Sequence, residues 1–325
     1  VSMERDISIF KDLISLFKLI LLFIRIKPNI VHGNTPKGGL LSMISAWVAR
    51  VPYRIYYVHG LRYEGATGLK RKILMFIERI SCFLATDIIS VSHGVKENLA
   101  KDKVTSKTPH IIGNGSANGI DSDFFSQKNV SNINLREKYN IGKDEFVFGF
   151  VGRFVGDKGV NELVEVFIKL NKKYKNIKLL LIGRFEDDLD PLHENIKKEI
   201  QTNSNINNAG YQYDVRPFLS IMDVFVFPSY REGFGVSIME AAAMNLPVIS
   251  SNISGCNEII IDGYNGILVS PKSVSDLLTA MESFILQPAL IIKMKKTTRS
   301  YVIQKYSQDL VWKSALNTYK NISNL

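Results

Sequence analysis

Two clusters of residues have the types and spacing to grip a phosphorylated ligand. The first is Val151-Gly152-Arg153-Phe154-Val155-Gly156-Asp157-Lys158-Gly159, where an apolar run ends, glycines follow and a helical pattern opens near Val160. Glycines let a backbone come close to a ligand, and Arg153 and Lys158 supply two cations suited to a diphosphate. The stretch does not fit G-x-x-x-x-G-K-[ST], because Asp157 rather than glycine precedes Lys158, and it does not fit G-x-G-x-x-G. A surface turn with incidental cations would read the same in isolation.

The second cluster is Pro228-Ser229-Tyr230-Arg231-Glu232-Gly233-Phe234-Gly235-Val236-Ser237-Ile238-Met239-Glu240. An apolar run at 224–227 leads into it, and a helical pattern continues through 236–244. A helix start there would point the N–H groups of Phe234, Gly235 and Val236 outward, at an end whose partial positive charge suits a phosphate or a sugar oxygen. Glu232 falls in the loop and Glu240 about two turns into the helix. Carboxylates so placed can hold hydroxyl groups at opposite ends of one ligand. Two solvated helix carboxylates are the plainer reading, weakened because loop, glycines and both acids arrive together at a strand end.

The elements that must position these clusters are legible as alternation. Strand-like apolar runs at 29–32, 53–58, 87–91, 146–151, 177–182, 224–227 and 248–250 are separated by amphipathic segments such as 69–84, 160–174 and 236–244. Such alternation predicts α/β architecture with parallel sheets and crossover helices in both halves. Ligands of open parallel sheets lie beyond the carboxyl ends of the strands, where both clusters fall. A polar stretch at 126–134 reads as a linker. The expected layout is an acceptor-side domain over 1–128, a ligand-binding domain over 129–305, and a terminal helix over 306–325 that returns to the first domain. The first half reads short for a doubly wound domain and opens on a helix-like segment, so its opening part is expected to be missing.

The chain has 325 residues, 46% hydrophobic and 22% charged, which suits two compact domains. Cys82 and Cys256 lie far apart, without metal-ligand spacing, so neither a zinc site nor a disulfide framework is expected, and a cytoplasmic setting fits. The most apolar stretch, 13–26, is interrupted by Lys18 and Arg25 and is too short for the ~20 apolar residues of a membrane span. An excess of 41 Lys and Arg over 31 Asp and Glu favours anionic partners. The basic clusters at 70–72, 172–173 and 293–296 carry no interleaved aromatics, and no nucleic-acid motif is present, so a nucleic-acid partner is not expected. Basic amphipathic segments at 11–27 and 70–79 could meet a membrane surface, although packing of their apolar faces on the first sheet is the favoured expectation.

Glu232 and Glu240, with seven residues between, resemble the paired-glutamate motif of glycosyltransferase family 4, and G-R-x-x-x-x-K-G at 152–159 resembles that family's diphosphate-binding turn. Thr35-Pro36-Lys37, Tyr57-Val58-His59-Gly60, Val91-Ser92, Asn118-Gly119-Ile120-Asp121 and Asp262-Gly263-Tyr264-Asn265-Gly266 agree in the same order, so the resemblance spans nearly the whole chain. Asn34 to Gly39 and Val58 to Tyr63 look closest to bacterial enzymes that build capsular or lipid-linked polysaccharides. The resemblance implies the GT-B fold, two Rossmann-like domains with a cleft between them, and a retaining transferase. Its donor would be a nucleotide sugar, expected to be a UDP-hexose or UDP-N-acetylated amino sugar. Its acceptor would be a polyprenyl-linked or other glycan at the cytoplasmic face of the membrane.

The resemblance further implies roles. Arg153 and Lys158 would neutralise the diphosphate, and Glu240 would bind the ribose hydroxyls. Glu232 and the amides of Gly233, Phe234, Gly235 and Val236 would hold the transferred sugar and diphosphate. His59 would reach the donor sugar, making Glu232 and His59 the expected catalytic pair. Gly183, Arg184, Tyr211 and Gln212 would line the base pocket. Neither cofactor nor metal is implied. Asp121-Ser122-Asp123 and Asp188-Leu189-Asp190 match the letters D-x-D of metal-dependent transferases but do not directly follow clear apolar strands. Asn34 departs from the family, which often places His there. Two other readings remain: a nucleotide-sugar epimerase on the same fold, and a non-catalytic basic module binding polyanions or membranes.

Overall fold

The computed structural model describes residues 1, 8–130, 134–188 and 190–323. Two compact units are present, Val1–Gly119 with Asp309–Leu325, and Ile120–Gln308.

In the first unit, α1 (Ile9–Ile26) leads to β1 (Ile30–Asn34), α2 (Pro36–Val48), β2 (Tyr53–Val58), α3 (Gly68–Leu84), β3 (Asp87–Ser90), α4 (His93–Lys101) and β4 (His110–Ile111). The strands pair in parallel in the order β1-β2-β3-β4. Ile55, Tyr56, Tyr57 and Val58 of the interior strand β2 are all buried, as expected of a parallel strand covered on both faces.

Helix α1 differs from expectation. It packs on α2 and buries Leu19 and Ser15, while Phe10, Leu13, Ile14, Phe17, Leu21, Leu22, Ile24 and Ile26 stay exposed. Its apolar residues run nearly all round the helix, so a single neighbour covers only one stripe. Helix α3 likewise buries Glu78, Ser81 and Cys82 and exposes Leu69, Ile73, Phe76 and Phe83. Packing on the sheet, the favoured expectation, is therefore corrected for α1, whereas α3 meets β2 as well as α2 and leaves part of its apolar surface exposed. Among the described residues no single helix is long and apolar enough to cross a membrane.

The second unit contains α5 (Leu135–Lys138), β5 (Phe146–Val151), α6 (Val160–Lys173), β6 (Ile177–Ile182), α7 (Glu194–Thr202), β7 (Ile206–Asn208), α8 (Arg216–Leu219), β8 (Val224–Phe227), α9 (Val236–Ala243), β9 (Val248–Ser251), β10 (Gly266–Val269), α10 (Val274–Leu286) and α11 (Pro288–Tyr306). Its six parallel strands run β10-β9-β8-β5-β6-β7. Connections therefore proceed one way from β5 and the other way from β8, which makes the β5–β8 junction a topological switch point. Val147, Phe148, Leu179, Leu180, Leu181, Val224, Phe225, Val226, Val248 and Ile249 are fully buried here.

The division between units falls earlier than the linker at 126–134 suggested. Ile120 N–H donates to the Tyr306 carbonyl at 2.8 Å, and Gln308 N–H to the Ile120 carbonyl at 3.0 Å. The Arg299 guanidinium donates to the carbonyls of Ser122, Phe125 and Ala243. These bonds tie 120–128 to the second unit, and residues 131–133 lie outside the described residues. The final helix, α12 (Gln308–Ser323), belongs to the first unit from Asp309 onward.

Candidate functional site

The switch point brings two loops into contact. Gly159, which closes the turn after β5, has φ +71°, and a Cβ there would sit 2.1 Å from the Pro228 carbonyl oxygen in the loop after β8. Only glycine permits both that backbone and that approach. Tyr230 N–H donates to the Asp157 carbonyl at 2.8 Å, and Ser229 Oγ donates to the same oxygen at 3.2 Å. With the loops stitched together, the Lys158 ammonium contacts the Glu232 carboxylate directly, and both side chains are largely buried. Lys158 Nζ also lies 5.5 Å from the Phe227 ring centroid.

Several neighbours were not singled out in the sequence. Arg231 Nη2 lies 2.6 Å from Asp157 Oδ2, and the Tyr230 hydroxyl donates to Glu162 Oε1. Burial, and then the Glu162 hydrogen bond, raises the Tyr230 phenol well above its usual range. Lys272 Nζ stands 4.7 Å from the Tyr230 ring centroid. The position of Asp157 and Arg231 inside the two motifs was the available signal.

Arg153 is placed with a partner outside the expected set. The β5–β6 ladder continues past the strands as Gly152 N–H donates to Ile182 O at 2.9 Å and Phe154 N–H to Arg184 O at 2.8 Å, with Phe154 bridged to Phe185. Gly183 has φ +152°, and a Cβ there would lie 1.8 Å from the Gly152 carbonyl oxygen, so the two loops touch at the backbone. Arg153 Nη1 consequently donates to Glu186 Oε2 at 2.9 Å. Arg184 stands over the Tyr211 ring at 5.9 Å, and Gly183 N–H donates to Gly210 O at 2.9 Å, which brings three of the four expected base-pocket residues together. Gln212 turns its amide to the Ala209 carbonyl at 2.6 Å.

At the start of α9 one expectation is corrected. Gly235 N–H donates to Gly255 O and Val236 N–H to Phe234 O, each at 2.9 Å, because the loop folds back before the helix begins. These two amides are satisfied internally, and those of Gly233 and Phe234 have no acceptor among the described residues. Glu240, one turn into α9, is half-buried, and burial pushes its carboxyl up to about 7. Among the described residues its side chain makes no hydrogen bond or ion pair with the other expected site residues.

His59 lies in the first unit, directly after β2. Its Nε2 is 2.9 Å from Asn34 Oδ1 at the end of β1, and its ring stacks on Tyr57 with centroids 4.2 Å apart. Partial burial lowers its pKa. His32 lies 5.7 Å from the Tyr57 ring, and its Nε2 is 3.3 Å from the Tyr319 hydroxyl of α12.

The two D-x-D matches have structural uses. Asp121 Oδ1 accepts from the N–H groups of Asp123 and Phe124. Asp190 accepts from Asp157 N–H through its carboxylate and from Gly156 N–H through its carbonyl, which braces the turn after β5. Leu189 lies outside the described residues. Among the described residues no group of three or more His, Cys, Asp and Glu side chains is placed to hold a metal ion.

Residues 131–301 match the family described as Glycosyl transferases group 1, and residues 6–116 match Glycosyltransferase Family 4. Over 98% of its length this chain is 38% identical to the capsular polysaccharide biosynthesis glycosyltransferase CapM of Staphylococcus aureus, covering 83% of that protein. It is 28% identical, over 93% of its length and 78% of the relative, to the UDP-Gal:alpha-D-GlcNAc-diphosphoundecaprenol alpha-1,3-galactosyltransferase of Escherichia coli. Its fold is similar to that of Anabaena Alr3699/HepE in complex with UDP and glucose, with a TM-score of 0.80 and 17% identity over 98% of this chain and 84% of that one. Sucrose-phosphate synthase from Thermosynechococcus elongatus gives a TM-score of 0.79 and 22% identity over 98% and 80%. Paired Rossmann-like units, the loops meeting at the switch point and these matches lead to one conclusion: the chain belongs to the glycosyl transferases group 1 family, as a glycosyltransferase of the GT-B type.

Proposed function

We propose that this chain transfers a hexose or an N-acetylated amino sugar from a UDP-sugar to a lipid-linked precursor of a bacterial surface polysaccharide. Retention at the anomeric carbon and independence of metal are part of the proposal. The observation that carries it is the Lys158–Glu232 contact at the switch point, which sets a cation for phosphate beside a carboxylate for sugar hydroxyls. Similarity to the capsular polysaccharide glycosyltransferase of Staphylococcus aureus and to the diphosphoundecaprenol-directed galactosyltransferase of Escherichia coli supports a capsular or diphosphoundecaprenol-linked acceptor.

In the proposed reaction the bond between the anomeric carbon and the diphosphate oxygen breaks, and its electron pair stays on that oxygen. The acceptor hydroxyl oxygen bonds to the same carbon from the same face, and its proton passes to the departing phosphate. Lys158 and Arg153 stabilise the charge that develops on the diphosphate; removal of one such preorganised donor elsewhere costs about 2.7–4 kcal/mol. Glu240 accepts from the ribose hydroxyls. The exposed apolar residues of α1, flanked by Lys11, Lys18 and Arg25, support docking at the cytoplasmic face of an anionic membrane.

The test is transfer from a panel of UDP-sugars to a diphosphoundecaprenol-linked sugar, with and without chelator. Product should form in chelator and disappear in Glu232→Gln with the melting temperature retained. Interconversion of nucleotide sugars without acceptor would favour an epimerase instead.

A further inference from the structure

We infer that Glu186 is an internal competitor of the donor diphosphate for Arg153 and so tunes donor affinity. This rests on the reading that Arg153 receives the diphosphate. The geometry behind it comes from the backbone: the Phe154–Phe185 bridge and the Gly183–Gly152 contact hold the loops after β5 and β6 side by side. Arg153 and Glu186, each next to one of these phenylalanines, are thereby presented to one another at 2.9 Å.

The pair is asymmetric. The Glu186 side chain is 14% exposed and the Arg153 side chain 40%, so the guanidinium retains an accessible face while the carboxylate is hemmed in. A phosphate approaching that face meets a cation already half neutralised, with a fixed negative charge behind it. Like charges at such range repel, and the repulsion falls on the phosphate, since Glu186 has little room to withdraw. The second carboxylate oxygen of Glu186, Oε1, lies 3.7 Å from Arg184 Nε, so the carboxylate is held from both sides. Arg184 in turn stands over the Tyr211 ring. Glu232 holds Lys158 in a similar pair, but Glu232 has a proposed role toward the sugar, whereas Glu186 is proposed to act on the donor through Arg153.

Calorimetric titration of UDP and of uridine into wild type, Glu186→Gln, Glu186→Ser and Glu186→Gln/Arg153→Ala tests this. An exposed ion pair is worth about 0.2–1 kcal/mol, so its loss should tighten UDP binding roughly 1.4- to 5-fold in both single variants. Uridine, which has no phosphate, should bind as before, and in the Arg153→Ala background the Glu186 change should have no effect. Weaker or unchanged UDP binding in both single variants, with wild type binding normally, overturns the inference and makes Glu186 a support for Arg153. Failure of wild type to bind UDP at all would instead remove the donor reading on which the inference rests.

Discussion

Lys158, at the end of the turn after β5, reaches the Glu232 carboxylate in the loop after β8, and the two side chains are only 15% and 13% exposed. The contact joins the two sides of the reversal in strand order, so one pair serves both cohesion and chemistry. Lys158→Met keeps a side chain of similar length and removes the ammonium that stands over the Phe227 ring. It leaves the largely buried Glu232 without its cation, which should lower unfolding free energy by about 1–3 kcal/mol. UDP affinity should fall roughly tenfold, the equivalent of about 1.4 kcal/mol. Adding Glu232→Gln should restore stability without restoring UDP binding. Calorimetry and urea unfolding read the two effects separately, and undiminished UDP affinity in Lys158→Met would remove the lysine from the donor site.

Arg299 on α11 gathers three carbonyls from separate segments, those of Ser122, Phe125 and Ala243. The planar fork of donors suits this task, and a lysine ammonium cannot reproduce it. Arg299→Gln and Arg299→Lys should both destabilise the second unit by about 2–4 kcal/mol, because carbonyls out of water lose donors to a charged group. Urea unfolding followed by far-UV circular dichroism checks this. A loss restricted to Arg299→Gln would mean that charge, not geometry, holds the three segments.

The strands were legible where apolar residues dominate a run of six, as at Phe146–Val151 and Ile177–Ile182. Strands β4, β7 and β10 were not, being two to four residues long and containing His110, Asn207, Asn208 or Gly266. Their conformation comes from the neighbouring strand they pair with, not from their own propensity. The glycine spacing conveyed that the loops after β5 and β8 can approach closely, as the Gly159–Pro228 contact shows. The partners were hidden. Glu186 opens an acidic Glu-Asp-Asp run that reads as solvated loop, and its meeting with Arg153 depends on a backbone bridge with no local signature. The boundary at Ile120 was hidden for the same reason, since its backbone bonds go to Tyr306 and Gln308, far along the chain.

Glu78 on α3 predicts an unusual pH dependence. Its side chain is buried, accepts one hydrogen bond from the Tyr56 hydroxyl at 2.7 Å, and leaves Oε1 without a partner. Burial pushes its carboxyl up to about 7, against about 4.3 in an unfolded chain. The folded state therefore binds more protons between these values, and stability falls as pH rises from about 4.3 to about 7, then levels. The full loss is of the order of 3 kcal/mol. Glu78→Gln should abolish that slope while keeping an acceptor for Tyr56. Unfolding free energies at pH 5 and pH 8 check this, and equal slopes in wild type and variant would refute it.

Glu240 should make donor binding pH-dependent in the opposite sense. Burial on α9 holds its carboxyl at about 7, so near neutrality it is divided between acid and carboxylate. The carboxylate is the stronger acceptor for hydroxyl donors, and a ligand that binds the charged form better must pull the group toward ionisation. Affinity for a UDP-sugar should then climb by about tenfold between pH 5.5 and pH 8, since one unit of pKa corresponds to tenfold in binding. A UDP-sugar is the right probe because its diphosphate is capped and carries no ionisation of its own in that range. Partial burial shifts the His59 pKa downward, the opposite direction to Glu240. Glu240→Gln should bind the UDP-sugar weakly and with a flat profile between pH 6.5 and pH 8. Glu232→Gln should weaken binding yet keep the rise. A flat wild-type profile across that window would mean that Glu240 does not meet the donor through its carboxylate, and the ribose contact would have to be sought elsewhere on the loops around β6 and β7.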